Sequence, residues 1–341
     1  MTLTLLALAC NGGPDKDEPD DTAVAVDDTA SADDTGSADD TGSTDDTGSP
    51  SGDPERDDAV DRFDALASEF DAPDLSSAEA AKAWAGLSAP NLLLYAVAPQ
   101  LEWEFLKSAW TEAGNEGVPD CPVVVEENDT VEITGGCTDF QGGIWHGRFG
   151  PSDSGTFRYE LDNFGVERSS EACAGQTTDY VQNGILGLNG ADFEFIMVSD
   201  SSELADDCSP LENRVGLNVL LAQEDITEDD GTTTTIYNSS GRVAVSDATK
   251  EGVADIRTDD EQTNGDWCGT EAWSGSTTVE GQQTLVITYD GQTDCDPEST
   301  VTWSVDGADQ GELTGVSCAT TPATGLAGLL VGLLAALRRR R

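Results

Sequence analysis

From Val123 onward the chain is written in a two-residue period. Short runs rich in Val, Ile, Thr, Tyr and Trp alternate with clusters of Gly, Asn and Asp. This punctuation restricts the fold more than any other feature, because strand side chains alternate between two faces and a short run closed by turn residues reads as one arm of a hairpin. The pattern predicts strands over 123–126 with 131–134, 144–149 with 156–161, 193–198 and 215–221. It predicts further strands over 233–237 with 242–246, 276–279 with 284–289, and 301–305. No long helical pattern separates them, so the expected fold is mainly β: an antiparallel meander, closed as a sandwich or as a strongly curved sheet, over residues 117–316.

Residues 58–116 carry a different period. Val60, Phe63, Ala67 and Phe70 recur at three- and four-residue spacing from a helix that starts near Asp57. Ser76 and Glu79 have the spacing of a capping box for a second helix ending near Leu87, and Pro90 and Pro99 stand where helix starts tolerate proline. Trp103, Leu106, Trp110 and Ala113 then form one stripe, which reads as the side of a helical segment packing on the sheet.

The cysteines divide by position. Cys10 and Cys318 lie near the two ends, whereas Cys121, Cys137, Cys173, Cys208, Cys268 and Cys295 all fall inside the β region. An even number of them suits three disulfides in an exported chain. The pairing expected is sequential, because the hairpin around Asn128 brings Cys121 and Cys137 to its two open ends. Zinc is the competing use of these residues, but the sequence has no CxxC pair and the spacings far exceed those of zinc knuckles.

Charge excludes several functions. With 16 basic and 67 acidic residues the net charge is -51, and a surface of that sign repels nucleic acid. The single histidine, His146, rules out a multi-histidine metal centre, so no metal site and no cofactor is expected. A catalytic triad would have to be built on that one ring; the plainer reading is a strand histidine bonded to backbone or solvent. Residues 11–57 are nearly devoid of large apolar side chains, and a six-residue unit repeats from Asp27: DDTASA, DDTGSA, DDTGST, DDTGSP. Such a segment cannot bury enough surface to offset its ordering entropy, and its paired aspartates repel, so it reads as a disordered, extended tether.

The two ends resemble addresses. Residues 1–10, MTLTLLALAC, place an apolar run and a small residue directly before Cys10, which resembles a bacterial lipoprotein signal. The resemblance implies cleavage before Cys10 and acylation of that residue, with Asn11 in place of the aspartate that marks inner-membrane retention. No Lys or Arg precedes the apolar run, and a start codon upstream of Met1 would supply one. Residues 317–341 place Cys318, a polar spacer, the apolar run Ala323 to Leu337 and the basic block Arg338 to Arg341 in order. This tripartite tail resembles the MYXO-CTERM sorting signals of myxobacterial surface proteins, which implies that Cys318 is the processing and anchoring point. The apolar run spans about 22 Å as a helix, short of the roughly 30 Å of a bilayer core. A single-span tail anchor and a GPI signal are the alternatives; the four terminal arginines do not belong to the latter.

These features predict an outer-membrane or cell-surface lipoprotein that acts as a binding or envelope-structural module. Its partners would be the membrane and a carbohydrate or protein ligand, met by Trp145, Trp267, Trp273 or Trp303 if these stand exposed on the sheet. The alternative is a glycosidase-like hydrolase drawing a carboxylate pair from Glu102, Glu104, Glu126, Glu132, Glu160 and Glu194, all of which lie near aromatics.

Overall fold

A computed structural model describes residues 52–314, apart from 128–129, 153–157, 171, 190–191, 206, 228–232, 265–267 and 291–299. The tether up to residue 51, both terminal signals with Cys10 and Cys318, and Trp267 and Cys295 lie outside the described residues. The same holds for the side chains of Cys268 and Trp273.

Three helices come first: α1 (Pro54–Ala67), α2 (Ala78–Ala85) and α3 (Ala89–Glu112). The strands follow as β1 (Val123–Glu127), β2 (Thr130–Thr134), β3 (Cys137–Thr138), β4 (Ile144–Pro151), β5 (Arg158–Ser169), β6 (Thr177–Asn189) and β7 (Asp192–Leu204). The second half is β8 (Pro210–Thr227), β9 (Thr233–Ser246), β10 (Glu251–Asn264), β11 (Cys268–Glu280), β12 (Thr284–Asp290), β13 (Thr300–Val305) and β14 (Ala308–Thr314). All belong to one antiparallel sheet that follows chain order, with β3 pairing off the path onto β4. The mainly β meander is therefore as the alternation predicts, and a single continuous sheet rules out the two-sheet sandwich. Among the described residues no pairing joins β14 to β1.

Both faces of this sheet are covered, and by different helices. Neighbouring residues along one strand belong to separate apolar clusters: Ile196 packs with α1, whereas Phe195 and Met197 pack with α2 and α3. The same split separates Ala244 from Val243 and Val245, as the two-residue period of a strand requires. α1 lays Phe63 and Leu66 over Gly216, where a Cβ would touch both side chains. The connection from α1 to α2 then passes around the end of the sheet. It is held there by Val253 N donating to Asp71 O (3.1 Å), Gln282 N to Pro73 O (2.9 Å) and Leu75 N to Gln283 Oε1 (2.7 Å). On the second face α3 lies across the strands. Its start meets β10 and residue Glu102 meets β5, five strand steps or about 24 Å apart, close to the roughly 20 Å that thirteen helical residues span.

The bends of the sheet have identifiable causes. Asn163 and Asp260 adopt left-handed backbone angles (φ 46° and 51°) at irregularities in β5 and β10. Each is held by an asparagine of the next strand: Asn183 Oδ1 accepts from Asn163 N and Asn238 Oδ1 from Asp260 N, both at 2.9 Å. On the other side, Gly147 (φ 59°) and Gly275 (φ 91°) let the neighbouring backbone come so close that a Cβ would lie 2.2 Å from Asn163 O and 2.4 Å from Asp260 O. One bulge device is thus used twice, and bulges of this kind sharpen the local twist of a sheet.

Several predicted elements are corrected. The helix begins at Pro54, inside the segment assigned to the tether, because Asp53 Oδ1 accepts from Arg56 N and caps it. The cap of α2 is Ser77, whose side chain accepts from Ala80 N, whereas Ser76 Oγ donates to Asp74. α3 runs without a break through Pro99. The runs 233–237 and 242–246 are not a hairpin but one strand, β9, since Asn238 to Gly241 pair straight across with β8. Four further strands, β3, β6, β10 and β14, and the greater part of β5 have no counterpart in the predicted set.

Candidate functional site

Polar chemistry in this molecule gathers where the helices meet the sheet. The first cluster surrounds the start of α1. Glu194, buried on β7, accepts from Arg56 Nε at 3.0 Å and from Asn189 Nδ2 at 3.3 Å, and lies 3.6 Å from Arg158. Arg158, also buried, forms a further ion pair with Asp53. Partial burial works to raise the Asp53 carboxyl, but the hydrogen bonds from Arg158 and Arg56 N win and hold it below the ordinary carboxylate range.

The second cluster lies under the C-terminal half of α3. Asp139 is buried and accepts from Gln141 N (2.8 Å), Gly143 N (2.9 Å) and the Trp145 indole Nε1 (2.8 Å). Arg168 of β5 joins Asp139 (3.1 Å) to Glu102 of α3 (2.8 Å). Tyr180 faces the same group, and its phenol is pushed well above 10 by burial and then by the negative charge of Glu102.

The third cluster centres on Glu261, which is fully buried on β10. Its Oε2 accepts from Ala89 N at 2.7 Å, the first amide of α3, a helix that receives no cap from the Ser88 side chain. Thr277 bonds to Oε1 of the same carboxyl and lies 3.0 Å from the Tyr289 hydroxyl, which in turn reaches Ala85 O at 3.5 Å. Burial pushes the Glu261 carboxyl up to about 8 against the opposing hydrogen bonds of Thr277 and Ala89, with the charge of Asp259 adding to the rise.

Set against these clusters, the residues singled out from the sequence separate cleanly. Trp145 and Trp303 are buried in the core, not exposed, so neither is a stacking platform for a ligand. Trp145 is fixed by Asp139 and tilted against Phe164, whose ring centroid is 5.7 Å away. His146 is exposed on β4 opposite Gly165 and next to the Gly147 bulge, the position of an ordinary strand histidine. The proposed carboxylates do not converge. Glu102 pairs with Arg168 and Glu194 with Arg56 and Arg158; Glu126 lies 3.7 Å from Lys107, and Glu132 (2.7 Å) and Glu160 (3.5 Å) share Arg148 on the exposed side. Glu104 stands half-buried on α3, apart from them.

Two disulfides join the predicted partners. Cys121 bonds to Cys137 across the first hairpin, and Cys173 to Cys208 across β6 and β7. Of the third expected pair, Cys295 and the side chain of Cys268 fall outside the described residues. Among the described residues, no group of three or more His, Cys, Asp and Glu could hold a metal ion, and no helix is long and apolar enough to cross a membrane.

Of the buried charges only Glu194 is among the residues singled out; the sequence gives no warning of Asp139, Glu261 and Arg158. The one local signal is the Asp139–Gln141 spacing. Asp74, Asp207, Asp247 and Asp309 likewise accept from the amide two residues on, at 3.0, 3.0, 2.6 and 2.7 Å, so an Asp followed at that offset by Ser, Thr or Gly marks a turn here. What the three clusters accomplish chemically is the docking of helix starts and turns onto strands. Comparison with protein-family models, with curated proteins and with solved structures finds no match to this chain.

Proposed function

We propose that the chain is an exported lipoprotein of the cell surface or outer membrane, whose β domain is a binding or envelope-structural module and not a catalyst. In this reading Cys10 carries the lipid, residues 11–51 lift the domain off the membrane, and Cys318 marks the point where the apolar tail is processed. The observation that carries it is the pair of disulfides, Cys121–Cys137 and Cys173–Cys208, which fit an extracytoplasmic compartment. The non-catalytic part is supported by the use made of the candidate acids, five of which lie in ion pairs with Arg or Lys. With Trp145 and Trp303 inside the core, a protein surface is the partner favoured over a carbohydrate stacked on those rings.

Intact mass and peptide mapping of protein purified from its native membrane test this directly. The expected result is acyl chains on Cys10, loss of the residues beyond Cys318, and three disulfides including Cys268–Cys295. Free thiols at the central cysteines, or a lipid-free chain retaining Arg338 to Arg341 in the cytosol, would overturn the reading.

A further inference from the structure

Among the buried acids, Glu261 is treated differently from the rest. Glu194 and Asp139 each touch an arginine, and every described arginine is engaged in an ion pair with an Asp or Glu: Arg56, Arg62, Arg148, Arg158, Arg168, Arg214, Arg242 and Arg257. Glu261, with no exposed surface, has no basic partner among the described residues. It is surrounded by Tyr237 opposite it on β9, Asp259 on its own strand, Thr277 on β11, Tyr289 on β12 and, from the helices, the backbone groups Ala85 O and Ala89 N. An unpaired carboxylate in such surroundings is far costlier than the neutral acid.

The neutral acid also completes a directed chain of donors that the carboxylate cannot. Ala89 N donates to Oε2; the acid's own O–H, on Oε1, donates to Thr277 Oγ1; Thr277 donates to the Tyr289 oxygen; and Tyr289 donates to Ala85 O. Both ends of this chain lie on the corner between α2 and α3. When Glu261 is ionised, Thr277 must turn its hydrogen toward the carboxylate, and the Tyr289 hydroxyl can then serve Thr277 or Ala85 but not both.

We infer that the proton on Glu261 is a latch that fastens the α2–α3 corner to strands β10, β11 and β12, and that losing it lets this corner open while the rest of the sheet stays folded. The latch answers to mildly alkaline conditions. Its folded pKa of about 8 lies above the ordinary 4.5, so the closed corner binds a proton that the open corner releases. Closure is then fully supported below the ordinary value and weakens as pH rises toward about 8. Opening rises by close to tenfold per pH unit across that window and levels off above it.

Hydrogen exchange of the full chain, corrected for the intrinsic pH dependence of amides, reads this out. In peptides spanning Ala85 to Leu92, exchange is expected to accelerate by roughly fiftyfold between pH 6 and pH 8, while peptides of β7 and β8 remain protected. Glu261→Gln keeps an acceptor for Ala89 and a donor for Thr277 without an ionisable proton, and should abolish the acceleration. An equal acceleration in Glu261→Gln, or none in the unmodified protein, would overturn the latch. If the variant does not fold, infrared spectroscopy of the unmodified protein decides instead. A protonated-carboxyl band at pH 6 that disappears above pH 8 together with corner protection supports it, and absence of that band at pH 6 refutes it.

Discussion

Asp139 shows how a strongly acidic chain uses a single acid well. One carboxylate accepts two backbone amides and an indole N–H and faces a guanidinium, so it organises a turn, orients a core tryptophan and ties β5 to α3 at once. Removing it strands the Trp145 N–H without its acceptor and leaves Arg168 with Glu102 alone. Asp139→Ala should lower unfolding stability by about 3 kcal/mol, the cost of breaking a buried charge pair, in urea titrations followed by near-UV circular dichroism. His146→Ala makes the opposite point. The ring is exposed, so the substitution should stay within about 0.5 kcal/mol of the parent protein; a large loss would show that His146 does something its surroundings do not reveal. Gly147 is less forgiving. At φ 59°, with a Cβ destined to sit 2.2 Å from two carbonyl oxygens, Gly147→Ala should cost about 3 kcal/mol through over-packing and backbone strain, measured in the same titration.

Elements were legible in the sequence wherever a strand has one apolar and one polar side. The hairpin of β1 and β2 and the strands β8, β12 and β13 show the alternation, β7 is legible instead as a short apolar run, and the pairing of β1 with β2 brings Cys121 to Cys137 as expected. What escaped notice follows other rules. β10 reads EGVADIRTDDEQTN, acidic enough to pass for a loop, because its outward side is solvated and its inward side carries Ala254, Ile256 and Thr258 before the bulge turns Glu261 inward. In β9 the NSSG run looks like a turn, yet hydrogen bonds from Ser239 to Thr258 draw it into the sheet. The candidate site fared worse. Carboxylates near aromatics are abundant in a chain with 67 acids, and only tertiary contacts distinguish the buried Glu261 and Asp139 from the many on the surface. The disulfides are testable at this scale: replacing Cys121 and Cys137 by serine, which opens a loop with a sequence separation of 16, should lower stability by about 3 kcal/mol and the melting temperature with it.

At the scale of the whole molecule, charge governs stability through two opposed routes. Raising the ionic strength from about 0.01 M to about 0.15 M shortens the screening length from roughly 30 Å to roughly 8 Å. Like charges then repel less, whereas the mostly exposed ion pairs lose little. The melting temperature should therefore rise with added sodium chloride, and a fall would mean that the ion pairs outweigh the net charge. On the pH axis, Asp53 and Asp247 are held below the usual carboxylate range despite partial burial, so the stability they supply is lost as pH falls through the acid range. Glu261 acts with the opposite sign, its contribution fading as pH rises toward about 8. Stability is expected to peak on the acid side of neutrality, and a thermal-melting profile that instead climbs steadily to pH 9 would contradict this balance.

The passage of the α1–α2 connection around the end of the sheet has a temporal consequence. Every described helix precedes the strands, yet α1 and the start of α3 are seated on strands that follow them by a hundred residues or more. During synthesis the helical segment emerges before the strands it packs on, and it must wait, apolar side uncovered, until the meander behind it has assembled. Contacts so distant along the chain make for slow folding, and the interval before docking is when this protein most needs a chaperone.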